Sequence, residues 1–179
     1  MRKEELREFI RRQKRQFTPQ QLEELSLPVI ARLRPLLTTA HTVMAYYSLP
    51  DEVYTHQLLD ELVDEGKTVL LPRVLDDETM ELCHYTGQDD LRRGAFHIME
   101  PIGEHFSDIS SIDLVLTPGV AFDAQGHRLG RGRGYYDRFL SSLRTVPGEF
   151  TRVIGVCFDF QKVLEVPVDA NDIPVDIVV

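Results

Sequence analysis

The segment Arg128-Leu-Gly-Arg-Gly-Arg-Gly-Tyr-Tyr-Asp137 concentrates the most specific chemistry of this chain. Gly130, Gly132 and Gly134 alternate with Arg131 and Arg133, and two tyrosines and an aspartate follow. Glycine at every second position lets a backbone take positive φ and approach a ligand closely. The interleaved guanidiniums supply planar, permanently charged forks matched to phosphate oxygens. A helix opening just downstream adds free N–H groups and the positive end of its dipole. Together these features predict a phosphate cradle. The spacing excludes a P-loop, for which Gly-x-x-x-x-Gly-Lys-Ser/Thr is absent, and a dinucleotide fingerprint, because Gly-x-Gly-x-Gly is not Gly-x-Gly-x-x-Gly. The competing reading is an Arg/Gly surface loop or nucleic-acid tail. It is the weaker one, since the segment runs straight into an apolar-periodic helix.

Other chemistry-bearing residues are sparser. Lys3 and Arg7 lie four apart, on one helical face, so both can reach one ligand or pair instead with Glu4 or Glu8. Asp137 falls in the first turn of its helix, where a carboxylate complements the dipole. The six histidines are scattered without a His-Glu-x-x-His pairing, which argues against zinc. No Ser/His/Asp or Cys/His signature is present. Cys83 and Cys157 sit in apolar, strand-like runs and are expected as buried free thiols, as in a reducing cytoplasm.

These residues need a scaffold. Leu6, Phe9, Ile10 and Phe17 outline one face of a helix over 3–16. Thr18-Pro-Gln-Gln21 reads as an N-cap, a first-turn proline and a capping-box glutamine. The helix that follows points Leu22, Leu25, Val29, Ile30 and Leu33 inward, and Pro28 should kink or split it, with Ser26 as a second cap. Strands are expected over Thr42–Ser48, over Thr68–Leu71 up to Pro72, over Met80–Tyr85, Asp113–Thr117 and Arg152–Cys157, and over Val175–Val178. Thr55 caps a helix facing inward through Leu58, Leu59, Leu62 and Val63 and ending near Gly66; a last helix packs through Tyr135, Phe139 and Leu143. Alternation of strand and helix with short links predicts an α/β fold, a single three-layer domain over 1–179 with a mainly parallel, mixed sheet covered by helices on both faces.

Composition sets the outer bounds. A chain of 179 residues suffices for one domain burying roughly 70% of its unfolded surface. With 42% hydrophobic and 27% charged residues it has the make-up of a soluble globule. No apolar run reaches the ~18 residues of a membrane span, and the charged N-terminus lacks the apolar stretch of a secretory signal. A cytoplasmic enzyme with a small-molecule substrate and without membrane or nucleic-acid partners is the expectation. The net charge of −9 opposes non-specific nucleic-acid binding. Its distribution is uneven: residues 1–16 carry +4 and 128–138 carry +3, which leaves −16 on the rest. Two basic islands on an acidic body suggest a local anion site. Val178-Val179 ends in strand character, so a few further residues are expected beyond it.

On these motifs the chain resembles the 5-formyltetrahydrofolate cyclo-ligase (methenyltetrahydrofolate synthetase) family. The resemblance rests on Lys3-x-x-x-Arg7, on Tyr46-Tyr47-Ser48 with Asp51-Glu52, and on Thr117-Pro-Gly-Val-Ala-Phe-Asp123. It continues through Gly126-x-Arg-Leu-Gly130, the Arg/Gly cradle, Tyr135-Tyr136-Asp137 and Pro167-x-x-x-x-Asp172. It implies a monomeric enzyme that uses ATP and Mg2+ to convert 5-formyltetrahydrofolate to 5,10-methenyltetrahydrofolate, ADP and phosphate. It further implies ATP contacts from Lys3, Arg7, Arg128, Leu129, Gly130, Arg131, Gly132, Arg133, Gly134, Tyr135 and Tyr136. Tyr47 and Glu52 would contact folate, along with residues 131–135 of the cradle; Arg131, Arg133 and Tyr136 would be catalytic, and Asp137 and Asp172 would bind metal. Phe122 is a further candidate for the folate wall. Asp123 and Asp159 have no role beyond turn-making. A non-catalytic nucleotide- or folate-binding regulator on the same fold is the alternative, and a sugar-phosphate isomerase or CoA-transferase relative is a third.

Overall fold

The centre of the molecule is built by strict alternation along short apolar strands. The structure is a computed structural model and describes residues 1–94, 97–146 and 151–179. In chain order the elements are α1 (Lys3–Lys14), α2 (Pro19–Leu37), β1 (Thr42–Met44), α3 (His56–Asp64), β2 (Thr68–Val74) and β3 (Met80–Tyr85). There follow β4 (Leu91–Arg93), β5 (Met99–Pro101), β6 (His105–Phe106), β7 (Leu114–Thr117), β8 (Ala121–Phe122) and β9 (Arg128–Leu129). Last come α4 (Tyr135–Arg144), β10 (Arg152–Gly155) and β11 (Ile177–Val178). One seven-stranded sheet has the order β11-β10-β7-β1-β2-β3-β6, parallel from β11 to β2 and antiparallel at β3 and β6. The hairpins β4–β5 and β8–β9 stand outside it.

Neighbouring residues of each strand serve opposite faces. Val43, Val69, Leu71, Leu114, Leu116 and Ile154 pack with Leu33 of α2 and Leu59 of α3. Met44, Leu70, Val115 and Val153 pack on the other face with Leu140 and Leu143 of α4. The layers are therefore α2/α3, sheet and α4. The first helix lies apart: its Leu6 and Ile10 cover Ala121 of β8 and Leu129 of β9. That contact brings the basic face of α1 up to the Arg/Gly segment.

Local expectations hold where chemistry is local. Thr18 and Gln21 form the reciprocal capping box, and Gly66 ends the region after α3 at φ +83°. Both cysteines are buried and free. Other expectations fail for tertiary reasons. Phe9 and Leu25 point outward. The second helix continues through Pro28 without a break, and Ser26 does not recap it; its Oγ donates to Leu22 O and accepts from Tyr54 N. Thr55 stands at the N-cap of α3, but its hydroxyl is turned to Tyr46 O instead. The first strand stops at Met44 rather than Ser48. Pro72 lies inside β2, not after it. It shares the side of Leu70, whose carbonyl accepts from Ala45, and β1 does not extend that far, so its missing N–H leaves no gap. The buried face of α4 is Leu140 and Leu143, with Tyr136 and Phe139 partly covered, which turns Tyr135 away from the core.

Candidate active site

The neighbours of β1 send the chain to opposite faces: the β1–β2 connection passes through α3, and the β7–β10 connection through α4. Such a divergence leaves a crevice beyond the carboxyl ends of the two strands. Tyr46, Tyr47, Leu49 and Glu52 follow β1, Pro118 and Gly119 follow β7, and all line one cavity of about 1010 Å3. The same cavity is lined by Lys3 and Arg7 of α1, by the whole of 128–138, and by 169–173. With one exception, every residue singled out for ATP, folate or metal in the resemblance thus faces one cleft. Phe122 does not: it is fully buried in the core beneath Gly119 and Gly155. The apolar part of the cleft lining comes instead from Leu71, Pro72, Val74, Ile98 and Met99.

The cradle is held from below. Asp123 accepts from the N–H groups of Gln125, His127 and Val166, and His127 Nδ1 lies 3.0 Å away, so the β8–β9 turn is pinned. Arg128 is buried; its Nε donates to Pro118 O at 2.7 Å and its guanidinium stands 5.0 Å over the Tyr136 ring. Gly130 does not have positive φ; its hydrogen makes room for Arg128, whose Nη2 would stand 3.1 Å from an added Cβ. Gly132 at φ +114° and Gly134 at φ +76° supply the turns. Gly134 is the N-cap of α4 and has no side chain to occupy the first-turn N–H groups. Arg7 Nε donates to Gly130 O at 2.9 Å, which ties α1 to the cradle.

From above, the β2–β3 turn is fastened by Tyr135 Oη to Asp76 O at 2.7 Å and by Arg138 Nε to Glu78 O at 2.6 Å. Arg138 also donates to Arg133 O at 2.9 Å. Its role was missed because no spacing in the sequence connects it with residues near 78. Arg133 itself lies at the rim, its side chain 73% exposed and 4.0 Å from Asp77. Arg131 Nη2 lies 3.1 Å from Asp51 Oδ1 and 3.5 Å from Glu52 Oε2.

Six cations (Lys3, Arg7, Arg128, Arg131, Arg133, Arg138) face four carboxylates (Glu52, Asp137, Asp169, Asp172) around the cleft. In a protein of net charge −9 this is a local excess of positive charge. Burial pushes the Glu52 carboxyl up, opposed by the Leu49 N–H at 2.8 Å and by Arg131. Burial also raises the Tyr136 phenol well above its ordinary value, so it stays protonated. Tyr47 stacks on His56 with ring centroids 3.6 Å apart. Burial lowers the pKa of His56.

The two candidate metal carboxylates are each half engaged. Asp137 Oδ1 accepts from Ile173 N at 3.1 Å, and Asp172 Oδ2 from Lys3 Nζ at 2.7 Å and Asp169 N at 2.8 Å. Among the described residues, their other oxygens take no hydrogen bond. No group of three or more His, Cys, Asp or Glu placed to hold a metal exists among the described residues. Two such carboxylate oxygens beside a cluster of arginines fit a hard cation whose remaining ligands would be phosphate and water, as Mg2+ prefers.

Comparison with known proteins converges on one family. The model of the 5-formyltetrahydrofolate cyclo-ligase family matches residues 1–179. The 5-formyltetrahydrofolate cyclo-ligase of Escherichia coli (strain K12) is 34% identical over 177 residues, 96% of either chain. The solved structure of Aquifex aeolicus 5,10-methenyltetrahydrofolate synthetase superposes with a TM-score of 0.82 at 35% identity, covering 99% of this chain and 89% of that one. The Mycoplasma pneumoniae 5,10-methenyltetrahydrofolate synthetase shares the fold, with a TM-score of 0.78 at 23% identity over 99% and 98% of the two chains. No helix among the described residues is long and apolar enough to cross a membrane.

Proposed function

The chain belongs to the 5-formyltetrahydrofolate cyclo-ligase family, and from that premise we propose that it closes 5-formyltetrahydrofolate to 5,10-methenyltetrahydrofolate with ATP as phosphoryl donor, releasing ADP and phosphate. The observation behind this reading is that the phosphate-type and folate-type residues line the same cleft.

The chemistry needs both. An N-formyl group is amide-like: its carbon is a poor electrophile and its oxygen a poor leaving group. Transfer of the terminal phosphoryl group of ATP to that oxygen makes the carbon electrophilic. The substrate's N10 then attacks that carbon and gives up its proton, and the C–O bond breaks with loss of phosphate to leave the methenyl bridge. Such a transfer asks for alignment and charge neutralisation rather than a protein nucleophile. Lys3, Arg7 and Arg128 hold the triphosphate with the N–H groups of Gly130, Gly132 and Gly134 and those opening α4. Arg131 meets the transferring group from the side of Glu52, and Arg133 closes on it from the rim. Tyr136, kept protonated, donates a hydrogen bond to the same oxygens. Tyr47 and Glu52 orient the pterin, an aromatic face for its ring and a carboxylate for its donor edge. Asp137 and Asp172 are the residues that would hold Mg2+, which when bound neutralises phosphate charge. One chain, residues 1–179, supplies every one of these groups and acts as a monomer in this reading.

Incubation with 5-formyltetrahydrofolate, ATP and Mg2+ tests it by the appearance of methenyl absorbance together with ADP. Folded protein that binds both ligands without forming either product would overturn the reading in favour of a binding protein.

A further inference from the structure

Arg131 is the end of a chain of charges that reaches back to α1. Lys14, the last residue of α1, has only 9% of its side chain exposed, and its Nζ stands 3.5 Å from Asp51 Oδ2. The other oxygen of that carboxylate, Oδ1, accepts from Arg131 Nη2 at 3.1 Å. Glu52 Oε2 is 3.5 Å from the same Nη2. The two carboxylates differ. Glu52 lines the cleft, with 11% of its side chain exposed and one oxygen already bound to Leu49 N. Asp51 does not line the cleft, and its side chain is 45% exposed.

We propose that Asp51, clasped by Lys14, is a positioning residue for the reaction, holding Arg131 over the cleft while Glu52 is engaged by the folate. This rests on Arg131 being the guanidinium that meets the transferred phosphoryl group. A half-exposed arginine loses much rotamer freedom when fixed, and one exposed ion pair does little to offset that loss. The clasp changes the balance, because the covered stem of Lys14 places Asp51 before Arg131 arrives. Burial draws the Asp51 carboxyl up, but Lys14 and Arg131 outweigh it and hold the group below its usual range, so it stays an anion. Once the pterin occupies the oxygens of Glu52, the longer Arg131–Glu52 contact gives way and the Asp51 contact remains.

Steady-state kinetics on Asp51→Asn, Lys14→Met, Arg131→Ala and the Asp51→Asn/Arg131→Ala double variant test this. Asp51→Asn is expected to lower kcat about 10-fold, the scale of a misplaced catalytic group, with KM for folate within about 2-fold. Lys14→Met keeps the covered stem, removes the charge, and is expected to lower kcat in the same direction; it reads the clasp independently should Asp51→Asn lose thermal stability. In the Arg131→Ala background Asp51→Asn is expected to cost less than about 2-fold more, because both act through one group. Wild-type kcat in Asp51→Asn and Lys14→Met, or an equal loss with and without Arg131, would overturn the positioning role while leaving the proposed reaction intact. Wild-type kcat and KM for ATP in Arg131→Ala would remove Arg131 from the cradle and the role of Asp51 with it.

Discussion

Tyr136 illustrates how surroundings decide what a side chain can do. Its ring lies under the Arg128 guanidinium, burial holds its phenol protonated, and among the described residues its hydroxyl makes no hydrogen bond. Such a group can donate but cannot serve as a base. Tyr136→Phe is expected to lower kcat about 10-fold or more, in the range of a lost transition-state donor. Its melting temperature should stay close to wild type, because no partner is left unsatisfied. A variant with full kcat would remove the hydroxyl from the chemistry. Glu52 makes a pH prediction. Its folded pKa is raised by burial above the ordinary 4.5, so between those two values the native state binds more protons than the unfolded one. Its contribution to stability is present at low pH and lost as pH rises through that window. In the proposed reaction folate recognition would run the other way, since the carboxylate is the form that accepts from a pterin. The acid limb of kcat/KM for folate is expected above the usual glutamate range and absent in Glu52→Gln; a limb that survives in the variant belongs to another group.

The three cradle glycines act at the level of the element, and each for its own reason. Gly134 must take φ +76°, and an added Cβ would meet Arg138 Nη1 at 2.9 Å. Gly130 has ordinary φ but sits against the Arg128 guanidinium. Gly130→Ala is therefore expected to raise KM for ATP with little change in melting temperature, whereas Gly134→Ala should cost about 1–2 kcal/mol of stability as well. Gly155 is the control: its Cβ would lie 2.4 Å from Phe122 Cε1 in the core. Gly155→Ala should destabilise by about 1–3 kcal/mol, the usual result of overpacking, with KM for ATP unchanged. Equal kinetic effects from Gly130→Ala and Gly155→Ala would deny the cradle its distinct role. Positive φ alone, the feature expected from alternating glycines, explains Gly132 and Gly134 but not Gly130. The capping box at Thr18 and Gln21 was legible because it is made within four residues. The fate of Pro28 and Pro72 was not, since a neighbouring helix or strand decides whether a missing N–H matters. Hairpins as short as β8–β9 have no periodicity to read; Asp123 and its buried hydrogen bonds hold that one in place.

At the scale of the whole molecule, an acidic protein gathers six cations at one cleft. Raising salt should therefore weaken ATP binding more than folate binding, since screening acts on the more highly charged ligand; equal salt dependence of the two KM values would contradict this. That the contiguous 128–138 segment borders a cleft could be read from its motif, and so could the two-faced sheet. The Lys14–Asp51 clasp, Arg138 and the apolar wall at Val74 and Met99 could not, because they form only when segments from across the sheet meet. What unites the cleft is the claim that its arginines deliver a phosphoryl group to a formyl oxygen. The most direct measurement uses 5-formyltetrahydrofolate carrying 18O in the formyl group, with ATP and Mg2+, and mass analysis of the released phosphate. The label is expected in the phosphate, one atom per methenyl group formed. Unlabelled phosphate, with the 18O in water, would mean that the oxygen leaves without ever being phosphorylated.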